Sequence, residues 1–383
     1  MKTPVSIISI GSVSALGSNP DEIWNNYQQD SHLLQKSDFG DVSAWAGFLP
    51  QELKIEISTL RSEFKKVDDA VLYAVFATRL AMKRAGWQKG EEIGINIGSS
   101  RGATGLFEAH FAHFLQTGKA QTLASPNTTL GNISSWVAQD LKSVGPDISH
   151  SVTCSTALHA VLNGIAWLAA GMAQKFISGG SEAALTPFTM AQMAAMKVIA
   201  SKERPFPCRA LDLQKRQNSM VLGEGAAVIC LEAGERKNAM AQIIGIGYAT
   251  EELDHPASIS ASGSAFQRAM KMALGKTSPE EVDAVVMHAP GTVKGDLSEM
   301  AALKAIFGEQ LPALTTNKWK LGHTFGASGA LSLELAVLML QQQEFIPVPY
   351  LSEVNIPKQL NKILVNAVGF GGNAVSILIK RAS

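Results

Sequence analysis

The strongest constraint on the fold of this chain is a regular alternation of short apolar segments with longer helical ones. Strand-like runs rich in Ile and Val occupy residues 5–10, 93–97 and 148–152. A further strand is predicted to begin at residues 176–177 and to close at Gly179-Gly180. Helical periodicity covers residues 67–85 and 155–170. Alternation of this kind predicts layers of helices and sheets, that is, an α/β fold.

The second part of the chain repeats this order of elements. Its predicted elements are four strands and a long apolar helix, at residues 243–248, 282–287, 363–367, 374–380 and 330–341. Sequence identity between the two parts is weak, so only the order of elements indicates a repeat. We therefore predict two similar α/β halves, residues 1–240 and residues 241–383, without a flexible linker between them.

Charge and composition exclude several classes of protein. The 383 residues carry 33 basic and 33 acidic side chains, so the basic excess of a dedicated nucleic-acid-binding protein is missing. No apolar run reaches the roughly 18 residues that predict a membrane span. The three cysteines have neither zinc-site nor disulfide-framework spacing, which favours a reducing, cytoplasmic setting without a metal ion.

Cys154 is the first candidate for chemistry, because it stands between a predicted buried strand and a predicted helix. A thiol at the N-terminal end of a helix faces the positive end of the helix dipole and free backbone N–H groups. Both favour the thiolate, and the N–H groups can hold an oxyanion. A free cysteine is also commonly just a small buried apolar residue, so position alone weighs both interpretations about equally.

Two histidines share a local setting that places imidazoles at the ends of strands. His288 and His323 both lie next to glycine-rich turns, where the backbone can approach closely. A lone histidine is more often structural than catalytic. Two of them in such turns, together with a cysteine at a third strand end, favour a catalytic site.

Further polar and glycine motifs have structural alternatives. Asp296 and Glu299 have the spacing of a capping box at a helix start, and spacing alone favours that role. Lys318 could pair with Glu299, but nothing in the local sequence shows it. The glycines at 369, 371 and 372 predict a tight turn between two strands, either beside a site or in an ordinary hairpin.

In this order and spacing, the motifs resemble the elongating β-ketoacyl-acyl-carrier-protein synthases, the Cys-His-His class of the thiolase-like superfamily. The resemblance runs from about residue 5 to residue 380, and its markers lie at 153–155, 223–226, 288–296, 318–327 and 366–372. It implies a thiolase-like fold, with two similar α/β halves in an α-β-α-β-α arrangement. It also implies an acyltransferase that condenses an acyl-enzyme thioester with malonyl-acyl-carrier protein, giving a 3-oxoacyl product and CO2.

The resemblance implies a role for each site residue. Cys154 would carry the acyl chain, and His288 and His323 would bind the malonyl thioester carbonyl and stabilise the enolate formed as CO2 leaves. Backbone N–H groups of Cys154 and Phe370 would form the oxyanion hole, and Phe370 would also act as a gate. The supporting and substrate-binding residues would be Lys318 paired with Glu299, and Thr292, Asp296, Gly369 and Gly371.

The implied partners follow from the same resemblance. An acyl carrier protein would supply the phosphopantetheine arm, so no tightly bound cofactor is expected. A homodimer or a heterodimer with a related subunit would meet around residues 176–179, with residues 127–133 reaching toward the partner's pocket. Candidate contacts for the acidic carrier protein lie in a predicted surface excursion and are Lys202, Arg204, Arg209, Lys215 and Arg216.

Departures from the family pattern keep a second class of function open. Pro290 stands where the family usually has a threonine that hydrogen-bonds the pantetheine arm, and Val368 where it often has phenylalanine. These departures and the short chain favour a specialised type II polyketide or polyene pathway over housekeeping fatty-acid synthesis. The alternatives are a non-catalytic partner subunit resembling a chain-length factor, and an acyl-binding protein without turnover.

Overall fold

The frame of the molecule is a pair of five-stranded sheets, seen in a computed structural model that describes residues 3–130, 132–252, 255, 259–352 and 355–382. The strands are β1 (Val5–Val13), β2 (Gln35–Phe39), β3 (Val42–Gly47), β4 (Ile93–Gly98), β5 (Asp147–Ile148), β6 (Lys175–Glu182), β7 (Leu222–Gly223), β8 (Gly225–Ala233), β9 (Ala241–Thr250), β10 (Ala284–Val286), β11 (Ala313–Thr315), β12 (Lys362–Gly369) and β13 (Asn373–Arg381).

Helices cover and separate the sheets. They are α1 (Pro20–Gln28), α2 (Gln51–Ser58), α3 (Asp69–Ala85), α4 (Thr104–Thr117), α5 (Ala124–Thr128), α6 (Asn132–Leu141), α7 (Thr156–Ala169), α8 (Pro187–Ala195), α9 (Ser264–Leu274), α10 (Val293–Phe307), α11 (Lys318–Leu321) and α12 (Ser328–Gln342). Single 3-10 turns occur at Thr59–Ser62, Thr153–Ser155, Pro279–Glu281 and Phe325–Ala327.

The two large sheets have the same topology. Written so that equivalent strands correspond, the strand order is β1-β8-β6-β4-β5 in the first sheet and β9-β13-β12-β10-β11 in the second. In each sheet the first two pairings are antiparallel and the last two are parallel. The prediction of two similar α/β halves is therefore confirmed, and the division into residues 1–240 and 241–383 stays a prediction.

Five layers stack through the molecule. Helices α3 and α6 cover the outer face of the first sheet, α7 and α12 lie between the sheets, and α9 and α10 cover the outer face of the second. Residues 328–340 of α12 are all buried, which explains why this helix is apolar on every side rather than amphipathic. The predicted α-β-α-β-α arrangement is confirmed, and its central layer carries one continuous core from both halves.

Several sequence-based boundaries differ from the structure. The strand predicted at 148–152 is only the two-residue β5, and the strand thought to close at Gly179-Gly180 continues to Glu182 as β6. Strand β6 is paired with β8 on one side and β4 on the other, so it has no free edge for a second subunit. The expectation of a subunit interface around residues 176–179 is therefore wrong. The open edge on that side of the sheet is β5.

The capping box expected at Asp296 and Glu299 is also wrong. Helix α10 begins at Val293, and Thr292 is its N-cap, accepting a hydrogen bond from the backbone N–H of Gly295. Both acidic side chains are fully buried. They are therefore available for contacts with other segments.

The predicted surface excursion at 202–219 is partly internal. Lys215 is buried in an ion pair with Asp296, at 2.6 Å, and Arg209 pairs with Asp212 while its guanidinium lies 4.0 Å from the Tyr350 ring centroid. Of the five basic residues proposed for carrier-protein contact, Lys202, Arg204 and Arg216 are exposed. No helix in the described ranges is long and apolar enough to cross a membrane.

Candidate active site

Cys154 lies in the 3-10 turn Thr153–Ser155, immediately before α7. Thr153 has a left-handed φ of 48°, a conformation that a β-branched residue rarely adopts. The turn is held by the hydroxyl of Thr156, which accepts a hydrogen bond from Val152 N–H and donates one to the Thr153 carbonyl. These hydrogen bonds hold the turn in its strained conformation and so fix the thiol at the helix start. Only 6% of Cys154 is exposed.

The end of β12 presses against this turn. A Cβ added at Gly369 would overlap Thr153 Oγ1 and lie 2.5 Å from the Val152 carbonyl and 3.3 Å from the Cys154 backbone nitrogen. Only glycine allows this approach, which places Phe370 beside the cysteine. Thr153 Oγ1 is 3.5 Å from the Phe370 carbonyl, and the Phe370 side chain is 41% exposed. Gly371 supplies the positive φ of 91° that the turn needs.

The two predicted histidines meet in space. Their ring centroids are 5.3 Å apart and their planes are nearly perpendicular, at 85°. Both residues are buried. Residues 288 and 323 are far apart in the sequence, so the second sheet and the loop before α12 bring them together.

Glu299 fixes the turn that carries His288. Its carboxylate accepts hydrogen bonds from the backbone N–H groups of His288, at 3.0 Å, and Ala289, at 2.9 Å, and a third from Asn366. Ala289 has a positive φ of 25°, so this turn is strained like the one at Thr153. Burial raises the pKa of Glu299 to about 7.

His323 is held by its backbone beside the short strand β7. Its N–H donates to the Val221 carbonyl at 2.7 Å, and its carbonyl accepts from Gly223 N–H. Its buried Nδ1 atom has no hydrogen-bond partner in the described part of the chain. This nitrogen can therefore donate a hydrogen bond to a bound molecule or accept one from it.

Both imidazoles are neutral at physiological pH. Burial and, to a smaller extent, the cationic Lys318 together lower the pKa of His323 to about 3. Burial, His323 and Lys318 hold the pKa of His288 well below its usual value. Neutral imidazoles each keep one N–H donor, which suits hydrogen bonding to a carbonyl oxygen.

Lys318 does not form the expected ion pair with Glu299. Its buried ammonium group donates instead to Asn317 Oδ1, at 3.0 Å, and Ser332 Oγ, at 3.1 Å. Burial lowers the pKa of Lys318 to about 8, although the field of Glu299 opposes this. Its charge acts on the histidines through space.

The thiol of Cys154 is protonated in the free protein. Burial and the field of Glu182 raise its pKa to about 12, while Lys318 and Arg101 act in the opposite direction. The expectation of a favoured thiolate is therefore contradicted. Burial at this helix start outweighs the charges that favour the anion.

A pocket of about 1210 Å³ joins these groups. Cys154, His288, His323, Thr292, Gly369 and Phe370 line it, together with Pro290, Phe325 and Val368. Lys318, Glu299, Asp296 and Gly371 are absent from its wall. Within the described ranges, no group of three or more His, Cys, Asp or Glu side chains could hold a metal ion.

Asp296 is engaged by the protein rather than facing the pocket. Its carboxylate accepts hydrogen bonds from Gly291 N–H, Leu211 N–H and Lys215 Nζ. It therefore ties the turn after His288 to the segment that carries Lys215. Burial raises its pKa, and Lys215 opposes this.

Glu182 is a site residue that the sequence did not reveal. Its buried carboxylate accepts four hydrogen bonds, from Ser99 Oγ and the backbone N–H groups of Ser100, Arg101 and Gly326. It joins the loop after β4 to the loop after His323. The only sequence signal was its place after Gly179-Gly180, where the strand was expected to have ended.

Sequence comparison identifies the family. The profile of the β-ketoacyl synthase N-terminal domain matches residues 2–237, and that of the C-terminal domain matches residues 240–351. The chain belongs to the β-ketoacyl synthase family. The predicted acyltransferase class is confirmed as that of the family.

Named relatives and solved structures agree with this assignment. The 3-oxoacyl-[acyl-carrier-protein] synthase 2 of Staphylococcus aureus (strain COL) is 25% identical over 417 residues, covering 98% of each chain. The ishigamide ketosynthase/chain length factor has a TM-score of 0.88 at 20% identity, covering all of both chains. A type II PKS acyl-carrier protein in complex with its ketosynthase bound to the hexaketide gives a TM-score of 0.87, at 20% identity and 99% coverage of each chain. The ketosynthase fold, which is thiolase-like, is thus confirmed.

Proposed function

We propose that the chain is an active condensing enzyme of the Cys-His-His class. It would perform a decarboxylative Claisen condensation between an acyl group on Cys154 and malonyl-acyl-carrier protein. The observation that carries the proposal is one pocket wall that holds a cysteine at a helix start and two neutral, perpendicular histidines 5.3 Å apart. Each group has the chemistry that one step requires.

In the first step, Cys154 takes the acyl chain from its carrier. Sulfur bonds to the acyl carbonyl carbon, the bond to the carrier thiol breaks, and the cysteine proton finally resides on that released thiol. The backbone N–H groups of Cys154 and Phe370 serve the oxyanion. Support comes from Gly369, whose lack of a side chain lets the two segments touch.

In the second step, His288 and His323 donate hydrogen bonds to the malonyl thioester carbonyl. The bond between the malonyl α-carbon and its carboxylate carbon breaks, CO2 leaves, and the electron pair of that bond forms the enolate that the two donors stabilise. The enolate carbon attacks the acyl carbonyl, the bond to Cys154 sulfur breaks, and the thiolate regains a proton. Thr292, on the pocket wall, serves the pantetheine arm, whereas Asp296 and Glu299 hold the His288 turn.

The proposed carrier is an acyl carrier protein whose phosphopantetheine arm enters the pocket, so the enzyme needs no tightly bound cofactor. Lys197, Arg216 and Lys294 lie on the pocket wall and supply positive charge for an acidic partner. The pathway would be fatty-acid or specialised type II polyketide or polyene synthesis. A cytoplasmic location belongs to the same proposal, supported by three free cysteines.

A second subunit of the same fold is proposed to cover the α4 aromatic face, which consists of Phe107, Phe111, Phe114 and Leu115. These side chains are 46–68% exposed, and Thr104 is the buried residue of this helix. Four large apolar side chains that are exposed together on one helix indicate a protein contact. Helix α5, next to α4, contains no buried residue.

The alternative is a non-catalytic partner subunit of a ketosynthase heterodimer. Pro290 favours it, because this residue lies on the pocket wall and its side chain offers no hydrogen bond to a pantetheine arm. The relatives with ketosynthase/chain length factor assemblies make such a role reasonable for this fold. The complete set of Cys154 and two histidines favours catalysis.

Intact-mass measurement tests the proposal. The protein is incubated with acyl-acyl-carrier protein, beside the Cys154→Ala variant, and malonyl-carrier protein is then added. We expect a mass gain equal to the acyl group that is absent in the variant, followed by release of a 3-oxoacyl product. No gain with any chain length would refute an enzyme that acts alone, and acylation without product would favour an acyl-binding role.

A further inference from the structure

Arg101 lies behind the cysteine, on the loop between β4 and α4. Its backbone N–H donates to Glu182 Oε1 at 3.2 Å, and its side chain donates to Gln192 Oε1 on α8. The guanidinium carbon lies 5.9 Å from the centroid of the Phe325 ring. That ring is also 5.5 Å from the His323 ring and packs in the same apolar cluster as Cys154. The Phe325 ring thus links Arg101 to His323 and to the cluster that contains Cys154.

The guanidinium has no counterion among the described residues. Glu182, which accepts the backbone N–H of Arg101, is occupied by four hydrogen bonds from loop groups, and Glu108 accepts from Thr186. The buried Nε–H of Arg101 has no hydrogen-bond partner in the described ranges. A cationic donor left unpaired at a buried position is costly, and it gains from any acceptor brought within reach.

The surroundings of Cys154 on this side are otherwise apolar. The cluster includes Phe39, Met190, Met193 and Phe325. Arg101 is not on the wall of the 1210 Å³ pocket, whereas Phe325 is. Phe325 is thus in contact with the pocket on the one hand and lies 5.9 Å from the guanidinium carbon on the other. Because Phe325 packs in the same cluster as Cys154, an acyl chain that starts at the sulfur and passes this ring comes near Arg101.

We propose that Arg101 selects acyl chains that carry an oxygen at carbon 3. This inference rests on the proposed function, because it needs Cys154 to hold an acyl group. A 3-oxo or 3-hydroxy oxygen accepts a hydrogen bond from the guanidinium, whereas the methylene of a saturated chain leaves the donor unpaired. A plain hydrocarbon chain would bury carbon against an unsatisfied cation, at a cost in binding.

The selectivity also places the enzyme in a sequence of reactions. Its acyl substrate would come from a condensation, or from a reduction that stops at the hydroxyl group. A substrate supplied by complete removal of the oxygen would be a poor one. Chains that keep their oxygen atoms are polyketide-like rather than saturated fatty acyl chains.

Loading rates test the inference with chains of equal length. Octanoyl-, 3-hydroxyoctanoyl- and 3-oxooctanoyl-carrier protein are compared by intact mass for the wild type and for Arg101→Met, Arg101→Lys and Arg236→Met. The wild type should load the oxygenated chains about tenfold faster than octanoyl, the gain expected for a charged hydrogen bond. Arg101→Met should abolish this ratio, Arg101→Lys should keep part of it, and the exposed control Arg236→Met should leave it unchanged.

A binding measurement separates this inference from the proposed function. The Cys154→Ser variant, with and without Arg101→Met, is titrated calorimetrically with the N-acetylcysteamine thioesters of octanoate and 3-hydroxyoctanoate. Tighter binding of the hydroxylated thioester that depends on Arg101 supports the inference even if wild-type Cys154 is never acylated. Equal loading and equal binding of the two chains, including binding too weak to measure for both, would overturn it.

Discussion

At the residue scale, opposing effects act on the Cys154 thiol. The helix start and nearby cations favour the thiolate, but burial raises the thiol pKa to about 12. Below that pKa the thiolate fraction grows about tenfold per pH unit. The rate of alkylation by iodoacetamide should therefore rise about tenfold for each pH unit between pH 7 and pH 10. Mass spectrometry of the quenched reaction gives the rate at each pH.

The matched control is Cys154→Ala. Cys208 and Cys230 are fully buried, so this variant should take up little reagent as long as it stays folded. A wild-type rate that levels off below pH 8.5 would show a stabilised thiolate, and the effect of the helix end would then exceed that of burial.

The roles of individual carboxylates were the least predictable part of the site. Asp296 and Glu299 have the spacing of a capping box, yet their oxygens bind backbone N–H groups of residues 288, 289 and 291. Spacing along a helix reveals its own first turn but not which loop packs against it. Glu182 was missed for the same reason, because its four donors come from two distant loops.

At the scale of elements, the contact between the β12 end and the Cys154 turn depends on Gly369. A methyl group there would overlap Thr153 Oγ1 and crowd the Val152 carbonyl. Gly369→Ala should therefore push the two segments apart, reduce acylation of Cys154 at least tenfold and lower the free energy of unfolding by about 1–3 kcal/mol. Intact-mass loading rates and urea unfolding measure the two effects.

Gly105→Ala is the matched control for this substitution. Its added Cβ would meet Asp68 Oδ2 at 3.4 Å, an ordinary contact, and Gly105 lies within a helix. We expect near-wild-type loading and stability for this variant. If Gly369→Ala behaved the same way, close contact of the two segments would not be needed for acyl transfer.

Glycines also explain where the strand predictions failed. The pair Gly179-Gly180 predicts the end of a strand, but β6 runs through both residues. A side chain at Gly179 would collide with the Ala227 carbonyl, and one at Gly180 with the Gly326 carbonyl. These glycines permit close packing inside the sheet, which a sequence cannot distinguish from a turn.

At the scale of the whole molecule, the order of elements predicted an α/β fold with two similar halves, and the family resemblance supplied their five-layer arrangement. The same strand order and the same pairing directions in both sheets follow from a repeat that sequence identity barely shows. Apolar periodicity determines which faces are buried, and the two halves bury theirs against the shared helices α7 and α12. The meeting of His288 and His323 required this three-dimensional arrangement, although each histidine was identified from its local motif.

The α4 aromatic face remains uncovered in the single chain, and its exposure leads to a prediction about assembly. A charge at its centre should oppose burial, since each large apolar side chain contributes roughly 1.5–3 kcal/mol when it leaves water. Phe111→Asp should therefore convert a dimer, of twice 40.7 kDa, to a monomer in light scattering, while Ile55→Asp on α2 should not. A wild-type mass of 40.7 kDa would point to a different, related chain as the second subunit, to be tested by co-expression. A complex whose mass Phe111→Asp leaves unchanged would show that another surface holds the subunits together.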